Sequence, residues 1–133
     1  MSIFNPICPA RGIYGHIERL EARRAQMGHM AQAVAAGDWP GRDALLQRLD
    51  ALDQALILEG EQARDELAEV AAMSAEGATC QLIAALRDMQ AGEPDMRLRA
   101  ARLIARSAAF AGARSPGDLT PASPSLKLRL QRP

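Results

Sequence analysis

Aromatic residues are almost missing from this chain. Phe4, Tyr14, Trp39 and Phe110 make up 3% of it, which excludes a core built on large rings and leaves Leu, Ile, Met and Ala to fill it. Strand formers are as scarce, with valine only at Val34 and Val70. Small and unbranched apolar residues suit closely packed helices, so the two scarcities together predict an all-α fold. Lysine is nearly absent: fifteen of the sixteen basic residues are arginine and only Lys127 is not, which we read as codon bias. The two cysteines, Cys8 and Cys80, lie far apart and outside any metal-ligand spacing, so neither a disulfide framework nor a cysteine metal site is expected. No apolar run approaches the roughly 18 residues needed to span a bilayer. The N-terminus lacks the basic patch and apolar run of a secretory signal, and a bacterial-type cytoplasm is the expected setting.

What is present fits one domain. The chain has 133 residues, 48% apolar and 24% charged, ordinary proportions for a globular fold. Its formal net charge is zero, which gives no reason to expect nucleic-acid binding. The charge is segregated, however. Residues 1–96 hold eight Arg against fifteen Asp and Glu, a net of −7, while residues 97–133 hold eight Arg and Lys against one Asp, a net of +7.

The pattern along the chain divides it into an irregular N-terminal arm (residues 1–12, with Pro6, Pro9 and Gly12), a helical bundle (13–111) and a Pro/Ser-rich basic tail (112–133). Ile13, Ile17, Leu20, Met27, Met30 and Val34 recur at helical steps, and Gly37 ends that helix. Gly37-Asp38-Trp39-Pro40-Gly41 reads as a turn, with Asp38 as a cap. Leu45, Leu49, Leu52 and Leu56 begin a second stripe that continues through Gly60, Ala63, Leu67, Val70 and Ser74, predicting one long helix over about 43–75. Gly77 is expected to break or bend the chain. A third helix over 79–90 is expected to turn Leu82, Ile83, Leu86 and Met89 inward, and Gly92-Glu93-Pro94-Asp95 to start a fourth running to about 111. Pro116, Pro121 and Pro124 exclude helix beyond it, so the tail is expected to be extended or disordered. Short turns between helices predict an antiparallel arrangement, either a four-helix bundle or a long hairpin with a helical cap, which dimerisation could complete.

Catalytic patterns do not emerge. His16 and His29 stand 13 residues apart on one helix, too far to share an ion. His29 is followed by Met30-Ala31-Gln32, without the neighbouring cation that a phosphorylated histidine needs. Cys80 reads as a small core residue, and Cys8, next to Pro9, as an exposed thiol with no base beside it. The chain has no glycine-rich phosphate loop or nucleophile elbow. Acidic neighbours such as Glu59 and Glu61, or Asp65, Glu66 and Glu69, read as the solvated side of the long helix. No enzyme activity, metal or cofactor is expected.

Surfaces are more informative. Arg99, Arg102 and Arg106 fall at i, i+3 and i+7 and share a helix face. They pair with the acidic stretch between Asp50 and Glu76, stay solvated, or meet an acidic partner, nucleic acid or an anionic membrane. Absence of stacking aromatics counts against nucleic acid as that partner. Near the end of the chain Leu126, Leu128 and Leu130 alternate with Lys127 and Arg129. This strand-like period would let the segment add to a partner's sheet edge or fold back on its own helices.

Met30-Ala31-Gln32-Ala33-Val34-Ala35-Ala36-Gly37-Asp38-Trp39, followed by Leu45-Leu46-Gln47-Arg48-Leu49, resembles the first hairpin of flagellar type III export chaperones. The resemblance covers about residues 20–56, and Pro40-Gly41 departs from the pattern. It implies a small cytoplasmic helical protein that binds the C-terminal helices of secreted subunits. It also implies that Leu45, Leu49, Leu52 and Leu56, with Trp39, touch the client. The expectation is therefore a non-enzymatic helical adaptor or chaperone that binds another protein through apolar helix faces. The alternative is a small structural subunit held in an assembly by its arm and tail.

Overall fold

A computed structural model describes residues 8–113. Four helices fill that span: α1 (Pro9–Ala36), α2 (Arg42–Glu69), α3 (Ala75–Ala91) and α4 (Pro94–Ala113). The all-α antiparallel arrangement expected from composition is present. Within it, α1 and α2 form a long hairpin of 28 residues per arm, about 42 Å at the usual rise per residue. The shorter hairpin α3/α4 packs on one face of its open end.

This placement follows from where the core lies. Every fully buried residue of α1 falls in its first half, at Ala10, Ile13, Tyr14, Ile17 and Leu20. In α2 all but Leu49 lie in the second half, at Gly60, Ala63, Leu67 and Ala68. Of these, Ala10, Ile13, Tyr14, Ile17, Ala63, Leu67 and Ala68 meet Cys80, Ala84 and Ala85 of α3 and Ala100 and Leu103 of α4 in one cluster. Toward the Gly37–Gly41 turn the long hairpin projects as a two-helix ribbon with no further layer over it among the described residues.

Several boundaries differ from the sequence expectation. Proline is pre-organised for the first helical position, so α1 begins at Pro9 and residues 9–12, read above as arm, are helical. Residues 1–7 lie outside the described part. Asp38 does not cap α2: the residue before the helix is Gly41 at φ 80°, a left-handed conformation that suits glycine. The expected continuous helix to residue 75 stops at Glu69. Its end is fixed from α3, where Gln81 Nε2 donates to the carbonyls of Leu67 (3.2 Å) and Val70 (2.9 Å) that have no partner within the helix. Ser74 then opens α3, its hydroxyl accepting from Gly77 N at 3.0 Å. The turn at Gly92 and Pro94 is as the sequence predicts, with Gly92 left-handed and Pro94 first in α4.

Gly77 does not break the chain. It sits in the first turn of α3, where its missing side chain makes room for Cys8 Sγ; an added Cβ would overlap that sulfur and crowd Ser74 Oγ and Ala10 Cβ. Cys8, expected to be exposed, is buried at this junction and receives a 3.0 Å hydrogen bond from Ser74 Oγ. Burial pushes the Cys8 thiol up, but hydrogen bonds from the Ser74 hydroxyl and from the backbone at Arg11, Met73 and Ser74 outweigh it and leave the pKa lowered. Burial raises that of Cys80, against the pull of Arg11. Gly77→Ala is therefore expected to cost about 1–3 kcal/mol through overpacking. In urea unfolding, a Cys8→Ala background should recover most of that loss, because the sulfur is the atom in the way.

Candidate functional site

Three arrangements could carry function: an ion cluster where the helices meet, an apolar face on α3, and a groove on the back of the long hairpin.

The cluster is centred on Arg99. Its guanidinium donates to both carboxylate oxygens of Asp88, Nε to Oδ2 at 2.7 Å and Nη2 to Oδ1 at 2.6 Å. Nη1 reaches Glu61 Oε2 at 2.8 Å and Asp65 Oδ1 at 3.1 Å. The Arg99 side chain is only 5% exposed. The Asp88 hydrogen bond raises its pKa, burial lowers it, and the bonds to Glu61 and Asp65 help leave it well above the usual arginine value. Glu61 also accepts from Arg64, which reaches Glu21 on α1 at 2.9 Å, and Glu21 accepts from Arg87 of α3. Arg87 in turn lies over the Tyr14 ring, 5.8 Å from its centroid. All four helices contribute to one network. Glu61 and Asp65, read above as solvated, belong to it.

The structure separates the arginines that the sequence placed on one face. Arg99 turns into the protein and is taken up by its own carboxylates. Arg102 and Arg106 are exposed on the flank of α4, with Glu69 of α2 at 3.5 and 4.0 Å. The basic fourth helix is thus matched to the protein's own acidic helix. An open cleft of about 640 Å³ beside Arg99 is lined by Glu61, Asp65, Glu93, Asp95 and Arg102.

Helix α3 is rotated relative to the expectation. Gly77, Ala78, Cys80, Gln81, Ala84, Ala85 and Asp88 are its buried residues. The large apolar residues expected inside are outside: Leu82 is 48% exposed, Leu86 56% and Met89 55%, with Ile83 also exposed. Leu82, Leu86 and Met89 stand at i, i+4 and i+7, a single stripe. The side of α3 that meets α1 carries Glu76, which pairs with Arg11, and Arg87. The leucine stripe lies on the other flank, beside α4, where Ile104 is exposed as well, whereas Leu98 of α4 lines the cleft beside Arg99. Gln81 and Asp88 explain the rotation. Each has buried polar partners on neighbouring elements, whereas outward leucines leave no hydrogen bond unmade.

On the long hairpin the leucines of the 4-3-4 stripe are divided. Leu49 is buried between α1 and α2, Leu45 and Leu56 are half-buried, and Leu52 is 56% exposed. Leu52 and Leu56 line a groove of about 370 Å³ with Arg23, Met27, Ala55 and Glu59. Glu21, which meets Arg64 and Arg87, and Arg24, which pairs with Asp53 at 2.9 Å, face the α3/α4 side. The hydrogen bond from Arg24 lowers the Asp53 pKa. Arg23 is one residue, or about 100°, around α1 from Arg24. The groove therefore lies on the back of the hairpin. Trp39 is at the tip, its ring close over Gly37. Leu126, Leu128 and Leu130 lie outside the described residues.

Among the described residues no helix is long and apolar enough to cross a membrane, and no group of three or more His, Cys, Asp or Glu could hold a metal ion. Comparison with protein-family models, curated proteins and solved structures returns no match. The site must be read from its chemistry. Replacing Arg99 by Met strands the Asp88 carboxylate in the interior and is expected to cost about 3–5 kcal/mol. Arg102→Met, at an exposed pair, is expected to cost ~0–1 kcal/mol. Paired denaturant titrations distinguish the two.

Proposed function

We propose that the protein is a non-enzymatic adaptor or chaperone that binds an amphipathic helix of a partner protein across the outer face of α3 and α4. One observation carries this reading: α3 buries its small and polar residues and exposes Leu82, Leu86 and Met89 in a continuous stripe. Isolated surface leucines are common, but a row of them at helical spacing, with Ile104 on the neighbouring helix, is the pattern that helix-in-groove recognition uses. A partner helix laid along α3 would cover that stripe and meet a rim that includes Arg97, which is exposed.

The resemblance of residues 20–56 to flagellar type III export chaperones supplies the class of client: an apolar helix of a subunit kept from premature association in the cytoplasm. A chaperone of that kind offers apolar surface in the free state. The α3 face meets this requirement.

A photo-crosslinking residue at position 86 tests the reading in cells of the source organism. Discrete protein adducts are expected, and they should disappear when Leu82 and Met89 are both changed to Asp. Leu86→Asp should abolish partner recovery while changing stability by less than about 0.5 kcal/mol, since the side chain is exposed. Absence of any adduct at position 86 would sink the proposal.

A further inference from the structure

We infer that the back of the long hairpin binds a second copy of this chain, in a two-fold dimer whose axis runs parallel to α1 and α2. This surface is separate from the α3 face assigned above to a partner, and the inference does not rest on that assignment.

The argument is the distribution of residues along the two back columns. On α1, Arg19 and Arg23 lie toward the capped end, and Met27, Met30 and Val34 follow toward the tip. On α2 the back column has heptad spacing: Leu45 and Leu52 toward the tip, Glu59 and Glu66 toward the capped end. Arg23 and Glu59 line the same groove, so they stand at the same height. Neither makes an ion pair with a described residue, although Arg24 beside Arg23 and Glu61 beside Glu59 both do. The surface is therefore basic on one helix and acidic on the other at one level, and mainly apolar on both at the next, where Arg48 of α2 stands at the outer edge beside Leu45 and Leu52.

Only one two-fold arrangement matches such a surface to itself. An axis along the hairpin lays α1 of one copy over α2 of the other at equal height. Arg19 and Arg23 then lie over Glu59 and Glu66, and Met27, Met30 and Val34 over Leu45 and Leu52, with each contact made twice. Neighbouring helices in the resulting four-helix layer all run antiparallel. An axis across the hairpin would instead set Arg23 against the apolar tip. The α3/α4 pair obstructs neither copy, because it covers the opposite face. About 21 residues of each helix contribute, so the footprint is roughly 30 by 20 Å. Two such faces bury about 1,200 Å², above the ~1,000 Å² that a specific interface needs.

Sedimentation of the full chain is expected to give twice the 14.3 kDa chain mass. Arg23→Glu should raise the dimer Kd by about tenfold or more, because each copy then sets like charges together. Adding Glu59→Arg to that variant should restore it. Mixing Arg23→Cys protein with Glu59→Cys protein should give an intermolecular disulfide under mild oxidation that neither gives alone. A monomer at every concentration overturns the inference. So does a dimer that Arg23→Glu leaves unchanged, or one that Leu86→Asp alone dissociates, since that would place the contact on α3. Loss of partner binding in Leu86→Asp with the dimer intact would separate the two surfaces.

Discussion

The guanidinium of Arg99 is held by a carboxylate from α3 and two from α2, and much of the molecule's form follows from that arrangement. A buried charge is costly unless its partners and geometry are complete. Here two oxygens of Asp88 take the fork of Arg99 side by side, and Glu61 and Asp65 take its remaining edge. Satisfying that cation fixes the rotation of α3, because Asp88 must point inward. A helix has one rotation. With Asp88, Gln81 and Ala85 turned in, the residues about 100° further round must point out, and these are Leu82, Leu86 and Met89. The exposed apolar stripe and the buried ion cluster are two consequences of one choice.

This coupling explains which parts of the fold could be read from the sequence. Four helices, the turn around Gly37 to Gly41 and the break at Gly92 and Pro94 all follow from local rules about glycine, proline and helical spacing. The direction of α3 does not. Its residues form two competing stripes, one large and apolar, the other running through Gly77, Gln81, Ala84 and Asp88. Burial arguments favour the first, and the structure takes the second because polar partners wait on other helices. The end of α2 was hidden for the same reason, since its stop is made by Gln81 and not by a breaker in its own sequence. Cys8 looked exposed beside a proline, and is buried because Gly77, distant in sequence, leaves it space. The sequence does carry one signal for Arg99: Asp88 falls on the small-residue stripe of α3, and an inward acid requires a base.

The leucines of α2 give a mixed result. Their 4-3-4 spacing identified a genuine helix face, but a hairpin gives that face two uses. Leu49 points at α1, while Leu52, about 300° further along the helix, turns toward the back. The same reasoning from spacing could not divide Arg99 from Arg102 and Arg106. Three residues on one side of a helix can still have one buried member when a neighbouring helix covers only the nearer edge of that side.

Because α3 and α4 cover only one end of the long hairpin, cohesion is unequal along the molecule. Near the core cluster a turn of α1 cannot open without disturbing three other helices. Near Trp39 it leans, among the described residues, on α2 alone, with Leu49 the last fully buried side chain before the tip. The hairpin is therefore a lever with one anchored end. Its free end opens locally at a small fraction of the cost of global unfolding. Whatever covers that end adds its binding free energy to the ordering of the last turns, so occupancy and rigidity rise together.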